Sequence, residues 1–391
     1  MGPRPWHGRR KRGRAVFGAL AALVFCGVLG TALAASTNFN EPNSSPESVG
    51  NSPRGVAAAD YDGDTDVDLA IANAGSQNVT ILRNNGSGNF VQPASSPEAV
   101  GGALGPVVAA DFDGDTDQDL VVGKFIVNQV AFLRNNGSGN FVQPASSPET
   151  TGTTPVALAA ADLDGDTDQD LAVVNTGSDD LTILLNDGSG NFIQPASSPE
   201  VVGDAPASVA AADLDGDTDQ DLAVAGGNFN RVTILLNNGS ADFAEAATSP
   251  EQAGNQPVAV VAADLDGDAD PDLAVANGGA DSLTFLRNNG SANFAEPASS
   301  PEATGNFPNA LTASDFDDDG DSDLATGNQI SDDVTILRNT GSGNFVEPAS
   351  SPEDAVDGPI SIAAADLDGD VDPDLAVVDV NTNNVTILRN R

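Results

Sequence analysis

The stretch Asp162-Leu163-Asp164-Gly165-Asp166-Thr167-Asp168-Gln169-Asp170-Leu171 places an aspartate at loop positions one, three, five, seven and nine, with a leucine directly after. Five carboxylates in nine residues repel one another unless a cation sits among them. Hard oxygen donors on a short flexible loop suit Ca²⁺, because alternate residues can curl their oxygens toward one ion. On this reading Asp162, Asp164, Asp166 and Asp170 supply side-chain oxygens and Asp168 its backbone carbonyl. An acidic turn left to solvent would account for one such loop, but not for a register of them.

The pattern recurs seven times, each copy starting 51 residues after the last. Asp60, Asp62, Asp64, Asp66 and Asp68 form the first copy, and Asp111, Asp113, Asp115, Asp117 and Asp119 the second. After the Asp162 loop come Asp213, Asp215, Asp217, Asp219 and Asp221, then Asp264, Asp266, Asp268, Asp270 and Asp272. Asp315, Asp317, Asp319, Asp321 and Asp323 make the sixth, and Asp366, Asp368, Asp370, Asp372 and Asp374 the seventh. Up to seven Ca²⁺ ions are expected. With like charges opposing closure of each bare loop, metal affinity would add to folding free energy.

The elements that hold these loops read as strands. In the third unit, Pro155–Ala161 enters the loop, Leu171–Val174 leaves it and Leu181–Leu185 follows a variable turn. Asn140–Pro144 adds a short extended segment at the unit's start. These apolar runs are short, rich in Val, Ile and Leu, and bounded by Gly, Asn, Asp and Pro, with no sustained helical period. Alanine favours helix, but Ala159–Ala161 fit an innermost strand where neighbouring sheets leave room only for small side chains. An EF-hand array is excluded: loop position twelve holds Ile71, Val122, Val173, Val224, Val275, Thr326 or Val377, never glutamate. Four strands in a period near 50 match propeller blades, which predicts an all-β, seven-bladed β-propeller over 38–391. The first unit carries an extended segment, Phe39–Pro42, with no blade before it, and the last unit lacks one. The ring is therefore expected to close with Phe39–Pro42 beside Val385–Leu388.

Composition bounds the function. The 391 residues carry 15 basic and 58 acidic side chains, a net charge of −43. Six of the basic residues precede position 15, followed by the apolar run Ala15–Gly30 and the small residues Ala32-Leu33-Ala34. Residues 1–35 thus read as a signal peptide cleaved near 34/35, implying a secreted, extracellular protein. The apolar run is too short for a stable membrane span, which needs about 20 residues. Cleavage removes Met1, Trp6, His7 and Cys26, the chain's only residues of these four types. The processed chain could then form no disulfide, histidine triad, cysteine nucleophile or His/Cys zinc site. The remaining net charge of −49 repels nucleic acid and anionic membranes.

The stretch Val209-Ala210-Ala211-Ala212-Asp213-Leu214-Asp215-Gly216-Asp217-Thr218-Asp219-Gln220-Asp221-Leu222-Ala223-Val224 resembles the FG-GAP repeats of integrin alpha-subunit propellers. It is similar also to the VCBS-type repeats of secreted microbial proteins. The resemblance spans Asn38 to Arg391. It implies Ca²⁺ in the loops joining first and second strands, and extracellular adhesion or ligand binding as the occupation. One departure concerns loop position six, commonly glycine in the family. Here only Gly320 fits; the others are Thr65, Thr116, Thr167, Thr218, Ala269 and Val371. A left-handed backbone there would strain the β-branched residues.

Comparing the seven units with one another separates a uniform face from an individual one. The calcium loops hardly change, whereas the turn between second and third strands differs in nearly every unit. Lys124, Phe125, Phe229, Arg231, Phe307 and Ile330 lie in or beside these variable connections and are candidate contacts for an extracellular protein or glycan ligand. Neutral drift of turns explains the same variation. A structural or matrix role without a specific ligand is the second reading. A polysaccharide lyase or hydrolase is the third, and it lacks a unique constellation because nearly every aspartate already belongs to a repeated loop. Asn-Gly-Ser at Asn85–Ser87 and its counterparts fits glycosylation sequons, but equally a hairpin turn.

Overall fold

The computed structural model describes residues 38–354 and 356–391, so the segment 1–35 that reads as a signal peptide lies outside the described residues. Seven antiparallel sheets follow one another along the chain, and no helix occurs among the described residues. In the third blade Pro155–Ala161, Asp170–Asn175 and Asp180–Asn186 form a meander in which Ala159 faces Ala172 and Ala172 faces Ile183. The alanine run is a strand: Pro155–Ala161 packs against its counterparts Leu104–Ala110 and Pro206–Ala212 in the neighbouring blades. Tertiary crowding overrides propensity here.

The fourth strand departs from expectation. It is split into two short pieces, Phe192–Ile193 against Leu185–Asn186 and Glu200–Val201 against Asp180–Leu181. Between them Pro195 cannot donate to the ladder, and the chain turns with Ser198 N–H donating to Pro195 O. The Ser198 hydroxyl then accepts the Ile183 N–H at 2.9 Å, the amide that a continuous strand would have paired. The same substitution of hydroxyl for strand recurs in every blade, at Ser96, Ser147, Ser249, Ser300, Ser351 and Ser45.

This split also corrects the closure register. Asn40 forms the bridge to Arg389, while the partners of Asn384 and Val385 are Ser48 and Glu47. Phe39–Pro42 therefore meets the last blade at Arg389, and Glu47–Ser48 takes the place beside Val385 and Asn384. Pro42 ends its pairing, and the Ser45 hydroxyl takes the Ile387 N–H at 2.9 Å. Segments from both ends of the described chain share the last blade, and its innermost strand Pro359–Ala365 packs against Pro53–Ala59 of the first.

The core sits between blades rather than within them. Tyr61 of the first blade packs edge-on against Phe141 of the second, ring centroids 5.5 Å apart. At the closing junction Val56, Leu69, Ile71 and Phe90 pack with Leu367, Val378, Val385 and Ile387. Position-two residues of the loops, from Tyr61 to Leu367, and the position-ten leucines are buried throughout. Each aspartate loop is thus anchored at both sides by apolar burial.

Candidate metal centres and the channel mouth

Each loop joins the innermost strand to the second strand at one end of its blade. In the third blade Asp162 accepts the N–H groups of Gly165 at 2.8 Å and Thr167 at 3.0 Å, curling the loop about its first carboxylate. Asp170 is fully buried and ties two elements together, accepting Leu163 N–H at 2.9 Å and Asn186 N–H at 2.7 Å. Burial pushes its pKa up to about 7, against the lowering effect of those two donors. Its equivalents Asp68, Asp119, Asp323 and Asp374 are also raised to about 7, and Asp221 and Asp272 to about 6, burial being the first cause in each.

The side chains converge as a cation site requires. Carboxylate oxygens of Asp60, Asp62 and Asp68 lie within 4.8 Å of one another, as do those of Asp213, Asp215 and Asp221 and of Asp264, Asp266 and Asp272. In the second and third loops positions one, three and five converge: Asp111, Asp113 and Asp115, and Asp162, Asp164 and Asp166. Position seven turns its side chain elsewhere. Asp168 folds back over the turn at Gly188, where a Cβ would stand 2.4 Å from its Oδ2, so that turn needs glycine. The position-three carboxylates of Asp62, Asp266, Asp317 and Asp368 each hold a buried Oδ1 with no hydrogen-bond partner. Orphaned oxygens in an all-oxygen donor set fit a hard divalent cation.

Loop positions four and six are both left-handed. Position six has φ of 80° at Thr65, 81° at Thr167 and 85° at Val371, beside 93° at Gly320. Six loops therefore hold a side chain where glycine is unstrained. In the sixth loop Asp318 replaces the position-four glycine, and Asp372 of the next loop has its pKa raised to about 6 by burial first and then by the Asp318 charge.

Five loops carry an arginine. Arg83 stands 3.4 Å from Asp62, Arg287 3.8 Å from Asp266 and Arg389 3.5 Å from Asp368, while Arg134 and Arg338 pair with Asp113 and Asp317. Arg389 also donates to Ser87 O at 2.7 Å and Gly88 O at 2.9 Å, clasping the first blade. Leu185 and Leu236 occupy the same repeat position in the third and fourth units, so the Asp162 and Asp213 loops lack this partner.

The family model of the FG-GAP-like repeat matches six overlapping stretches: residues 60–122, 111–173, 162–224, 213–275, 264–326 and 315–377. The chain belongs to the FG-GAP-like repeat family. No match is found among curated proteins. Among solved structures, this FG-GAP propeller is similar to a lectin from Agrocybe aegerita described as recognising non-reducing terminal N-acetylglucosamine. That match has 19% identity, covers 80% of this chain and 79% of the lectin, and has a TM-score of 0.53. It is similar also to BBS1N in its complex with ARL6DN, at 14% identity, 90% and 96% coverage and a TM-score of 0.61. Streptogramin B lyase matches at 14% identity, 90% and 98% coverage and a TM-score of 0.59. At these identities the likeness is one of fold.

The opposite end of the FG-GAP ring carries the variable turns, and its candidate residues separate. Lys124 is not an exposed cation: it is buried and donates to Val100 O at 3.3 Å. Phe125 lines a cavity of about 810 Å³ at the mouth of the central channel, and the Arg54 guanidinium lies over its ring at 5.4 Å. Phe229 and Arg231 share a second cavity of about 280 Å³ with Val201, Thr233 and Glu245. Phe307 packs over Gly278, and Ile330 is exposed.

Two features escaped the motif reading. Asn186 Nδ2 donates to Phe112 O of the preceding blade at 2.8 Å and to Gln169 O at 3.1 Å. Asn84, Asn135, Asn237, Asn288, Asn339 and Asn390 repeat this latch between blades. The signal was available, since asparagine stands at that place in all seven units. Arg54 was the second, as a charge at a repeat position otherwise uncharged.

Proposed function

We propose that this chain is an exported FG-GAP propeller whose loops bind Ca²⁺ and which serves as an extracellular adhesion or ligand-binding module. The observation that carries the metal assignment is the convergence of loop carboxylates around buried, unpartnered position-three oxygens. Asp60, Asp62, Asp64 and Asp68, and the same positions in the other loops, would hold the ion with side-chain oxygens, and position seven with its carbonyl. Bound Ca²⁺ would neutralise charge that otherwise opposes closure of each loop, coupling metal to stability. Export is supported by the basic, apolar and small-residue order of residues 1–35.

The ligand-binding assignment is supported by family membership and by the contrast between seven near-identical loops and seven different turns. A protein or glycan ligand would meet the variable end. The lectin of similar fold recognises a terminal sugar, which makes glycans the first class to examine.

The test is calcium removal. Protein recovered from culture medium is expected to retain Ca²⁺ by elemental analysis and to melt roughly 10 °C or more lower in EDTA, with recovery on adding Ca²⁺ but not Na⁺. An unchanged melting curve and a metal-free protein at saturating Ca²⁺ would end the metal assignment. A glycan and protein array at saturating Ca²⁺ separates a ligand-binding module from an inert scaffold.

A further inference from the structure

The geometry points to the channel mouth as a binding site for a small carboxylate-bearing ligand, of the acidic monosaccharide class, with Arg54 as its anchor. The inference deepens the ligand-binding reading above and rests on it. All seven innermost strands contribute to the cavity of about 810 Å³, a size within the usual range for small-ligand sites. Among the described residues, Arg54 is the sole charged side chain lining it. At the same repeat position the other blades present Gly105, Val156, Ala207, Val258, Asn309 and Ile360. One cation, one amide and an apolar remainder make an asymmetric ring.

Arg54 is available for such a ligand. Five of the chain's other arginines are bound to loop aspartates, and Lys124 is buried. Arg54 makes no ion pair among the described residues, and is exposed. Gly55 lets the first two innermost strands approach closely, a Cβ there meeting Gly105 O at 2.8 Å. That approach sets the Arg54 guanidinium over the Phe125 face. The ring holds the face of the cation and leaves its edge donors free for a carboxylate.

The aspartate loops stand at the other end of the innermost strands from this cation. Arg54 is the second residue of the strand Pro53–Ala59, and Asp60 follows its far end, roughly 20 Å away in an extended chain and beyond the Debye length of about 8 Å. Asn309 offers an amide to ring hydroxyls, and Val258 and Ile360 an apolar wall for a sugar face. Ser361 accepts the Val56 N–H at 3.2 Å, which joins the closing blade to the strand that bears Arg54.

The experiment is a titration of calcium-saturated protein with sodium D-glucuronate and with D-glucose, read by saturation-transfer NMR, for the parent, Arg54→Gln and Arg54→Lys. Glucuronate is expected to bind roughly tenfold or more tightly than glucose. Arg54→Gln should lose that margin, and Arg54→Lys should keep part of it. Melting curves of both variants should match the parent, because the side chain is exposed and has no ion pair. Equal binding of the two sugars, undiminished glucuronate binding by Arg54→Gln, or no glucuronate binding overturns the site. An array ligand whose binding Arg54→Gln leaves untouched, with no glucuronate binding, overturns the channel site while preserving the ligand-binding reading. Silence of both array and titration overturns both.

Discussion

Asn84 Nδ2 donates to the main-chain carbonyl of Leu367 at 2.8 Å, across 283 residues of sequence. The contact is the same one that Asn186 makes to Phe112 within the ring. Closure is therefore made with the interblade latch used elsewhere, backed by an apolar cluster of the same kind. Asn84→Ala and Asn186→Ala should destabilise about equally, by about 2–3 kcal/mol, because each leaves buried carbonyls without a donor. Denaturant midpoints check the magnitude. Hydrogen exchange of Asn84→Ala should show lost protection confined to the first and last blades.

The arginines predict two classes of metal loop. A guanidinium a few ångströms from a divalent cation disfavours it by about 1–2 kcal/mol, or roughly tenfold in affinity. The Asp162 and Asp213 loops, whose units carry Leu185 and Leu236 at the arginine position, should fill first. Calorimetric titration should resolve them from the five arginine-bearing loops. Leu185→Arg with Leu236→Arg should abolish the tight class, and an isotherm unchanged by the pair refutes the prediction.

Val371 holds φ at 85°, where a β-branched residue is strained. Val371→Gly should stabilise the protein by about 0.5–1 kcal/mol, the relieved strain exceeding the added flexibility of the unfolded chain. Gly320→Val in the sixth loop should cost about 1–3 kcal/mol. Melting of both variants at saturating Ca²⁺ checks the pair.

Asp379 occupies the place held by Asn73, Asn175, Asn277 and Asn328 in other blades. Those asparagines donate to a threonine hydroxyl, Asn175 to Thr182 at 2.9 Å, whereas Asp379 must accept from Thr386. Burial pushes Asp379 up to about 7. A raised carboxyl pKa gives stability that is complete below the unfolded value near 4 and is lost as pH rises to about 7. Asp379→Asn should therefore stabilise by on the order of 2 kcal/mol at pH 8, with the gain vanishing near pH 4. A gain that is constant with pH would show that the charge is not the cause. Denaturation at both values, in parent and variant, supplies the comparison.

Local chemistry carried much of this reading. A 51-residue register of aspartates, short apolar runs and Gly, Asn and Pro boundaries specify strands, loops and blade number, because each depends on neighbours along the chain. The left-handed backbone at loop position six was foreseeable for the same reason, since five ligand-type residues must curl within nine. Asn140–Pro144 reads as a single short extended segment, and the second piece of the outer strand, Glu149–Thr150, is not legible because a serine hydroxyl replaces a strand amide only once the third strand lies beside it.

By itself the sequence determined the all-β repeat, the seven acidic loops and the apolar positions that anchor them. Only the tertiary structure decided which long-range partners these residues meet: Asn84 with Leu367, Arg389 with the first blade's turn, Glu47 with Val385. It also buried Lys124 and put Arg54 over Phe125 at the channel mouth. The reason is physical: a hydrogen bond or ring contact across blades depends on the closure and twist of the whole ring, which no single 51-residue unit contains.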